Sequence, residues 1–153
     1  MEEFDIAALI HAGGVLDGVE GNTPEEVYAK ICSMIKLPEE LDSDQVYNAL
    51  CAREKILSTA VGNGIALPHA RAPIMKNEAD QRIIVVYLKE PIDMHAPDDK
   101  KVSVMFVLLT QNPQTHLKVL SSLAALIRKQ SFKKLLDSHA SEAQLINSIK
   151  ELD

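Results

Sequence analysis

The sequence predicts an α/β fold, an α+β sandwich in which helices cover both faces of a central mixed β-sheet. Segments with apolar residues at helical spacing occur in mixed order with strand-like segments, which is typical of a sheet packed between helices. The segment 102–110 (VSVMFVLLT) is apolar nearly throughout, as expected of a strand that is covered on both faces. A length of 153 residues fits one domain, so 1–153 is assigned to a single domain.

The first third of the chain is predicted to be mostly helical. The elements expected there are a helix over 2–11 that ends at Gly13–Gly14, a brief strand over 14–19, and helices over 23–36 and 43–54. Thr23 is a suitable N-cap with Pro24 at the first helical position, and Asp42 or Ser43 can cap the next helix. The side chains expected to face the core from these two helices are Val27, Ile31, Met34, Ile35, Val46, Leu50 and Cys51.

The rest of the chain alternates between strand and helix signals. Gly, Thr, Val and Ile dominate 58–71, which indicates turns and short strands. The elements expected after it are strands over 82–89 and 102–110, a polar loop over 91–101 between them, and helices over 114–130, 131–139 and 141–152. Asn112 and Pro113 can start the first of these helices. Its core-facing stripe is predicted to contain Leu117, Leu120, Leu123 (or Ala124) and Ile127.

Composition restricts the classes of partner and of location. A formal net charge of -6 argues against a nucleic acid, because a phosphate backbone requires a basic face. The N-terminus lacks a basic region followed by a long apolar stretch, so we expect no signal peptide, no membrane insertion and a cytoplasmic location. Cys32 and Cys51 form no CxxC pair and are expected to be reduced core thiols. His11, His95 and His139 have no motif around them and are expected to be exposed.

The segment 61–71 (VGNGIALPHAR) contains a glycine-rich turn. Gly62, Asn63 and Gly64 all tolerate positive φ, and a backbone of this kind can aim its N–H groups at an anion. The third glycine of a dinucleotide fingerprint is missing, and so is the Gly-Lys-Ser/Thr ending of a P-loop. The turn is therefore a candidate anion loop without a nucleotide signature.

His69 is the candidate reactive residue of this segment. Pro68 fixes its own φ and so restrains the angle at which the ring of His69 enters the site. Arg71 could share a strand face with His69, since residues two apart on a strand point the same way. The alternative is a cis-proline or an edge-strand turn in which the histidine and the arginine are incidental.

The motif resembles that of a known family. Glu54, six free positions and then V-G-N-G-I-A-L-P-H-A closely match the phosphorylation site of the type-2 IIA components of the bacterial sugar phosphotransferase system (PTS). This group comprises the fructose, mannitol and nitrogen-regulatory IIA proteins. The resemblance extends over nearly the whole chain, with Arg53 before Glu54 and a helix that opens with His-Leu at 116–117. Ala60 and Ala70 stand where glycine is common in the family. The resemblance implies the type-2 PTS IIA fold.

The resemblance also implies the roles of individual side chains. His69 would receive the phosphoryl group on Nε2, His116 would hydrogen-bond the phosphate, and Arg53 would stabilise its charge as a planar cation. Without the resemblance, Arg53 would be taken to complement the C-terminal dipole of its own helix. Supporting roles are expected for Glu54, which could orient Arg53, and for Pro68. The protein would then be a phosphotransferase with a phosphohistidine intermediate.

The implied partners are proteins, with no metal or cofactor in the transfer. Gly62, Asn63 and Gly64 would add main-chain donors to the phosphate. The donor would be a histidine-containing phosphocarrier protein, and the acceptor a IIB component serving a fructose- or mannitol-like permease. In the alternative, phosphorylation of His69 is a signal that controls binding to regulatory proteins, without sugar transport. A third interpretation treats His69 and His116 as metal ligands, although no Cys or Asp cluster accompanies them.

Overall fold

The computed structural model describes residues 5–39, 41–70 and 75–152, and within these ranges it contains six α-helices and a five-stranded sheet. The elements in chain order are α1 (Ile6–Gly13), β1 (Val15–Val19), α2 (Pro24–Met34), α3 (Ser43–Ile56), β2 (Ala60–Gly62), β3 (Ile65–Ala66), β4 (Arg82–Ile92), β5 (Val102–Leu109), α4 (Pro113–Ile127), α5 (Gln130–Asp137) and α6 (Glu142–Leu152). A 3-10 turn at Glu78–Asp80 precedes β4. None of the helices in these ranges is both long and apolar enough to cross a membrane.

The sheet is mixed, as the sequence predicted. Its strand order is β1-β4-β5-β3-β2. The β1–β4 and β3–β5 pairs are parallel, whereas the β4–β5 and β2–β3 pairs are antiparallel. The two long apolar strands, β4 and β5, therefore lie in the interior of the sheet, and the short strands of the glycine-rich segment lie at one side.

Helices cover both faces of this sheet, which confirms the predicted sandwich. On one face, alternate residues of β4 (Ile84, Val86 and Leu88) belong to a buried cluster with α2 and α3. On the other face, the intervening residues Ile83, Val85 and Tyr87 belong to a cluster with α1, α4, α5 and α6. Because successive side chains of a strand point to opposite faces, a fully apolar strand must be buried on both sides. The helices on the two faces of the sheet provide this burial for the continuous apolar runs of β4 and β5.

The predicted helix starts are confirmed by their caps. The Thr23 side chain accepts a hydrogen bond from the N–H of Glu26 at 3.1 Å. Asp42 forms a capping box at the start of α3. The Asn112 side chain accepts from the N–H of Thr115 at 2.8 Å, and α4 begins at Pro113, the residue predicted for its first position. Each cap provides a partner for an N–H group that the first turn of a helix cannot pair internally.

The prediction that Met34 and Leu117 face the core is wrong. Met34 is 47% exposed and Leu117 is 66% exposed. The buried stripe of α4 consists of Val119, Leu123 and Leu126, so it is rotated relative to the predicted one. Helical spacing alone fixes the width of an apolar stripe but not its centre, because Leu at a solvent-facing position fits the same period.

Several remaining expectations can be compared directly with the structure. Strand β4 continues to Ile92, into the region predicted as a loop. Cys32 and Cys51 are buried free thiols, as predicted. The cis-proline alternative for Pro68 is wrong, since the described residues contain no cis peptide bond. Arg71, like the first residues of the helix predicted over 2–11, lies outside the described residues.

Candidate functional site

Strand pairing fixes the position of His69. After β3 the chain stays extended, and the N–H of Leu67 donates to the carbonyl of Thr59 at 3.0 Å. The N–H of Leu108 donates to the carbonyl of Pro68 at 2.9 Å, and His69 forms a parallel bridge with Leu108 of β5. Pro68 is buried and has no N–H, so it pairs through its carbonyl alone. His69 thus lies beside the end of β5, and the two residues before it are hydrogen-bonded to Thr59 and to Leu108.

His116 approaches the same place from the other side of that strand end. β5 ends at Leu109, and the chain enters α4 at Pro113, with His116 in the first turn. The ring centroids of His69 and His116 are 4.8 Å apart, and the ring planes are inclined by 53°. Both residues are half-buried. The structure therefore brings together two histidines that lie far apart in the sequence.

Each ring uses its Nδ1 atom in a hydrogen bond to the protein. Nδ1 of His69 is 2.7 Å from the carbonyl oxygen of Leu67. A carbonyl can only accept, so Nδ1 of His69 carries the proton and Nε2 presents a lone pair. Nδ1 of His116 is 3.0 Å from the hydroxyl oxygen of Thr110. The partner that orients His69 is thus a main-chain group, which the sequence could not identify.

Arg53 supplies positive charge to the pair of rings. It lies in the last turn of α3, and its guanidinium donates to the carbonyl of Leu57, which follows that helix. Its charge acts on both rings, because it contributes to lowering the pKa of His69 and the pKa of His116. Arg53 can therefore bond the carbonyl at the end of its own helix and still act electrostatically on the two rings.

Glu54 fixes the end of α3 through hydrogen bonds to Tyr28 and Thr59 rather than through a contact with Arg53. One carboxylate oxygen accepts from the Tyr28 hydroxyl at 2.6 Å and from the Thr59 hydroxyl at 2.7 Å, and the other accepts from the Thr59 N–H at 2.9 Å. The carbonyl of Thr59 in turn receives the N–H of Leu67. Glu54 thereby connects α2, α3 and the segment that leads to His69.

Burial keeps both rings neutral. It lowers the pKa of His69 below its ordinary value of 6.5; the hydrogen bond to Leu67 opposes this change, and the charge of Arg53 adds to it. Burial lowers the pKa of His116 to about 4, and electrostatic interactions with the neighbouring His69 ring, when protonated, and with Arg53 add to this change. At neutral pH one ring can therefore act as a nucleophile, and the other carries a single proton.

One main-chain donor of the glycine-rich loop is bonded to a carboxylate of the protein itself. The backbone of Gly62, Asn63 and Gly64 adopts positive φ at all three residues, as the sequence indicated. The N–H of Asn63, however, donates to a carboxylate oxygen of Asp98 at 2.9 Å. The carbonyl of Gly64 accepts from Ser103 at 2.8 Å. The N–H of Asn63 is thus already bonded to a carboxylate, and the contribution of main-chain donors from this loop to a phosphate stays a prediction.

Sequence reasoning missed Leu67, Thr59 and Thr110 as contributors to the site. Leu67 acts through its carbonyl, which has no sequence signature. Thr110 could have been noticed, because it is the polar residue at the end of an otherwise apolar strand. Among the described residues, no group of three or more His, Cys, Asp or Glu side chains is arranged to hold a metal ion.

The sequence and the fold agree with one family of proteins. The sequence model described as "Phosphoenolpyruvate-dependent sugar phosphotransferase system, EIIA 2" matches residues 9–152. The chain belongs to this family of PTS IIA proteins.

Its relatives carry two kinds of name. A nitrogen regulatory protein of Pseudomonas aeruginosa is 33% identical over 134 residues, which cover 85% of this chain and 84% of that protein. A PTS system fructose-specific EIIABC component of Bacillus subtilis is 28% identical over 138 residues, which cover 88% of this chain and 21% of that protein. The family thus includes proteins named for nitrogen regulation and proteins named for the fructose PTS.

Solved structures share the fold. The nitrogen regulatory protein IIA-Ntr from Neisseria meningitidis has a TM-score of 0.73 and 30% identity, over 87% of this chain and 90% of that one. A complex of enzyme IIAMTL and phosphorylated enzyme IIBMTL from Escherichia coli contains a chain with a TM-score of 0.65 and 17% identity, over 88% of this chain and 94% of that one. In that complex, an IIA protein binds an IIB protein.

The neutral state of His116 predicts a pH dependence of stability. The unfolded chain protonates this ring near 6.5, but the folded protein does so only near pH 4. The stability associated with the neutral ring is therefore fully present above pH 6.5 and is lost as the pH falls towards 4. We expect His116→Gln to lose less free energy of unfolding than the wild type across this window, as measured by urea denaturation.

The control is His95→Asn, which removes an exposed histidine whose φ of 57° asparagine also tolerates. This variant should follow the wild-type curve. Identical curves for the wild type and His116→Gln would contradict the account of His116.

Proposed function

We propose that this protein accepts a phosphoryl group on Nε2 of His69 from a histidine-containing phosphocarrier protein and passes it to a second protein, acting as a phosphotransferase. The observation that carries the proposal is the 4.8 Å approach of the His69 and His116 rings, at a position where the charge of Arg53 reaches both. A nucleophilic ring, a second ring that can donate and a guanidinium together can supply the nucleophile and the charge stabilisation that a phosphoryl transfer needs.

The transfer is a displacement at phosphorus. The Nε2 lone pair of His69 forms a new N–P bond while the bond from phosphorus to the donor's imidazole nitrogen breaks, and that bond's electron pair returns to the donor ring. His69 keeps its Nδ1 proton, so its ring gains positive charge as the N–P bond forms. The carbonyl of Leu67, 2.7 Å from Nδ1, stabilises that charge.

The other two side chains act on the phosphoryl oxygens. Arg53 offers several N–H donors in a planar fork, which matches the geometry of a phosphate. His116 remains neutral at pH 7 and so can contribute one N–H without adding a second full charge. In a chain of net charge -6, these local groups must offset the repulsion that the rest of the protein exerts on an incoming phosphate.

Exposed apolar side chains next to the site support protein partners rather than a small substrate. Leu117, which follows His116, is 66% exposed, and Leu57, whose carbonyl receives the Arg53 bond, is 69% exposed. Exposed apolar surface rimmed by polar residues marks protein interaction sites. A phosphoryl donor and acceptor that are themselves proteins would cover these leucines while the transfer takes place.

Two acceptors are compatible with the same chemistry. The first is a cysteine or histidine of a IIB component of a fructose- or mannitol-like permease, supported by the IIA–IIB complex among the structural neighbours. The second is regulatory, with the phosphoryl group changing the affinity of this surface for a control protein, and the relatives named nitrogen regulatory protein favour it. The phosphorylation of His69 is common to both.

The proposal is tested by incubation with the general phosphotransfer proteins and labelled phosphoenolpyruvate. The wild type and His95→Asn should acquire acid-labile, base-stable label, whereas His69→Ala should acquire none. Label that persists in His69→Ala would place the acceptor elsewhere, and no label on the wild type would reject the function. Chase with IIB components then separates the acceptors, because only the transport role predicts loss of label to IIB.

Replacing Arg53 should slow the transfer without unfolding the protein. We expect Arg53→Ala to reduce the first-order rate by about 10²–10³-fold, comparable to removing one transition-state donor, which is worth about 2–4 kcal/mol. Arg53→Lys should fall in between, because it keeps the charge and loses the fork. The rate is measured by rapid-quench labelling of His69.

The matched control is Lys55→Ala, which removes a cation from the same helical turn. It should transfer at nearly the wild-type rate. Equal losses in Arg53→Ala and Lys55→Ala would mean that Arg53 acts only through the net charge of the protein. That result would contradict a specific role of its guanidinium in the transfer.

A further inference from the structure

Thr110 is a buried hydroxyl in contact with the second histidine. It follows the last residue of β5 and is 2% exposed. Its backbone is held in place, since its carbonyl accepts from the N–H of Met75 at 2.9 Å and the next N–H, that of Gln111, donates to the Gln81 side chain at 2.7 Å. From this fixed position, the hydroxyl oxygen lies 3.0 Å from Nδ1 of His116. Because an unpaired buried hydroxyl is costly, this contact is expected to persist.

The direction of this hydrogen bond determines which nitrogen of His116 carries the single proton. A hydroxyl can donate or accept, so two arrangements fit the same distance. If Thr110 donates to Nδ1, the proton of the ring is on Nε2. If Thr110 accepts, the proton is on Nδ1, and Nε2 presents a lone pair instead. The ring of His69 has no such choice, because its partner is a carbonyl.

We propose that Thr110 is a positioning residue that donates its hydroxyl hydrogen to Nδ1 of His116 and so keeps the proton of this ring on Nε2, where it can be donated to a phosphoryl oxygen on His69. The inference rests on the proposed function of His69. With the opposite tautomer, a lone pair would face phosphoryl oxygens that carry negative charge. The two neighbouring rings would then have opposite tautomers, one for attack and one for donation.

Protonation cannot provide the missing donor at neutral pH. The pKa of His116 is about 4, so the ring has one proton to place and the tautomer determines where it lies. The selection must therefore come from a neighbouring group, and Thr110 is the group that contacts Nδ1.

The test measures the tautomer first, without any phosphoryl donor. In ¹⁵N-histidine-labelled protein at pH 7.5, the imidazole ¹⁵N shifts of His116 should identify the Nε2–H form in the wild type and in Thr110→Ser. In Thr110→Val, which has nearly the same shape without the hydroxyl, the Nδ1 shift should change and a mixture of tautomers should appear. Ser138→Ala, which removes a hydroxyl that donates to the Leu135 carbonyl, should leave the His116 shifts unchanged.

The transfer rate then shows whether the tautomer affects the reaction. We expect about a tenfold lower kcat for phosphorylation of His69 in Thr110→Val, corresponding to one lost hydrogen bond, with KM for the phosphocarrier unchanged and with recovery in Thr110→Ser. An Nδ1–H form in the wild type would overturn the proposal, and that result needs only the folded wild type. Wild-type shifts or a wild-type rate in Thr110→Val would also overturn it. Failure of the wild type to accept label would instead reject the proposed function.

Discussion

The pairing of the segment before His69 with the end of β5 is the constraint on which the site depends. Leu108 donates to the carbonyl of Pro68, and the same strand continues through Thr110 into the helix that carries His116. One interior strand therefore positions both rings, one from its neighbouring segment and one from its own continuation. Since β5 is buried on both faces, the backbone that carries the two rings is tied to the core. Phosphoryl transfer depends mainly on such positioning.

Electrostatics at the site oppose the charge of the whole chain. The net charge of -6 repels a phosphate, while the charge of Arg53 acts on two rings that burial keeps neutral. Neutral rings suit the chemistry, because a protonated His69 would have no lone pair for phosphorus. The charge of Glu54 opposes the lowering of the pKa of His69, but its oxygens are occupied by Tyr28 and Thr59. The site thus combines a fixed cation with two uncharged rings.

The sequence predicts the fold well because its signals are local. Caps such as Thr23 and Asn112 act within one helical turn, and the apolar run of β5 requires two covered faces. The side of α4 that Leu117 occupies depends on how the helix is rotated against the sheet, which periodicity does not determine. Asp98, which holds the glycine loop, is distant along the chain. The His69–His116 pairing was available only through family resemblance, because contacts between distant residues have no local signature.

The central claim is that His69, His116 and Arg53 hold one phosphoryl group. The most direct measurement is a crystal structure of the phosphorylated protein. The account predicts phosphorus on Nε2 of His69, with phosphoryl oxygens about 3 Å from Nε2 of His116 and from the Arg53 guanidinium. Phosphorus on Nδ1 of His69 or on another residue, or a phosphoryl group that neither His116 nor Arg53 contacts, would contradict it.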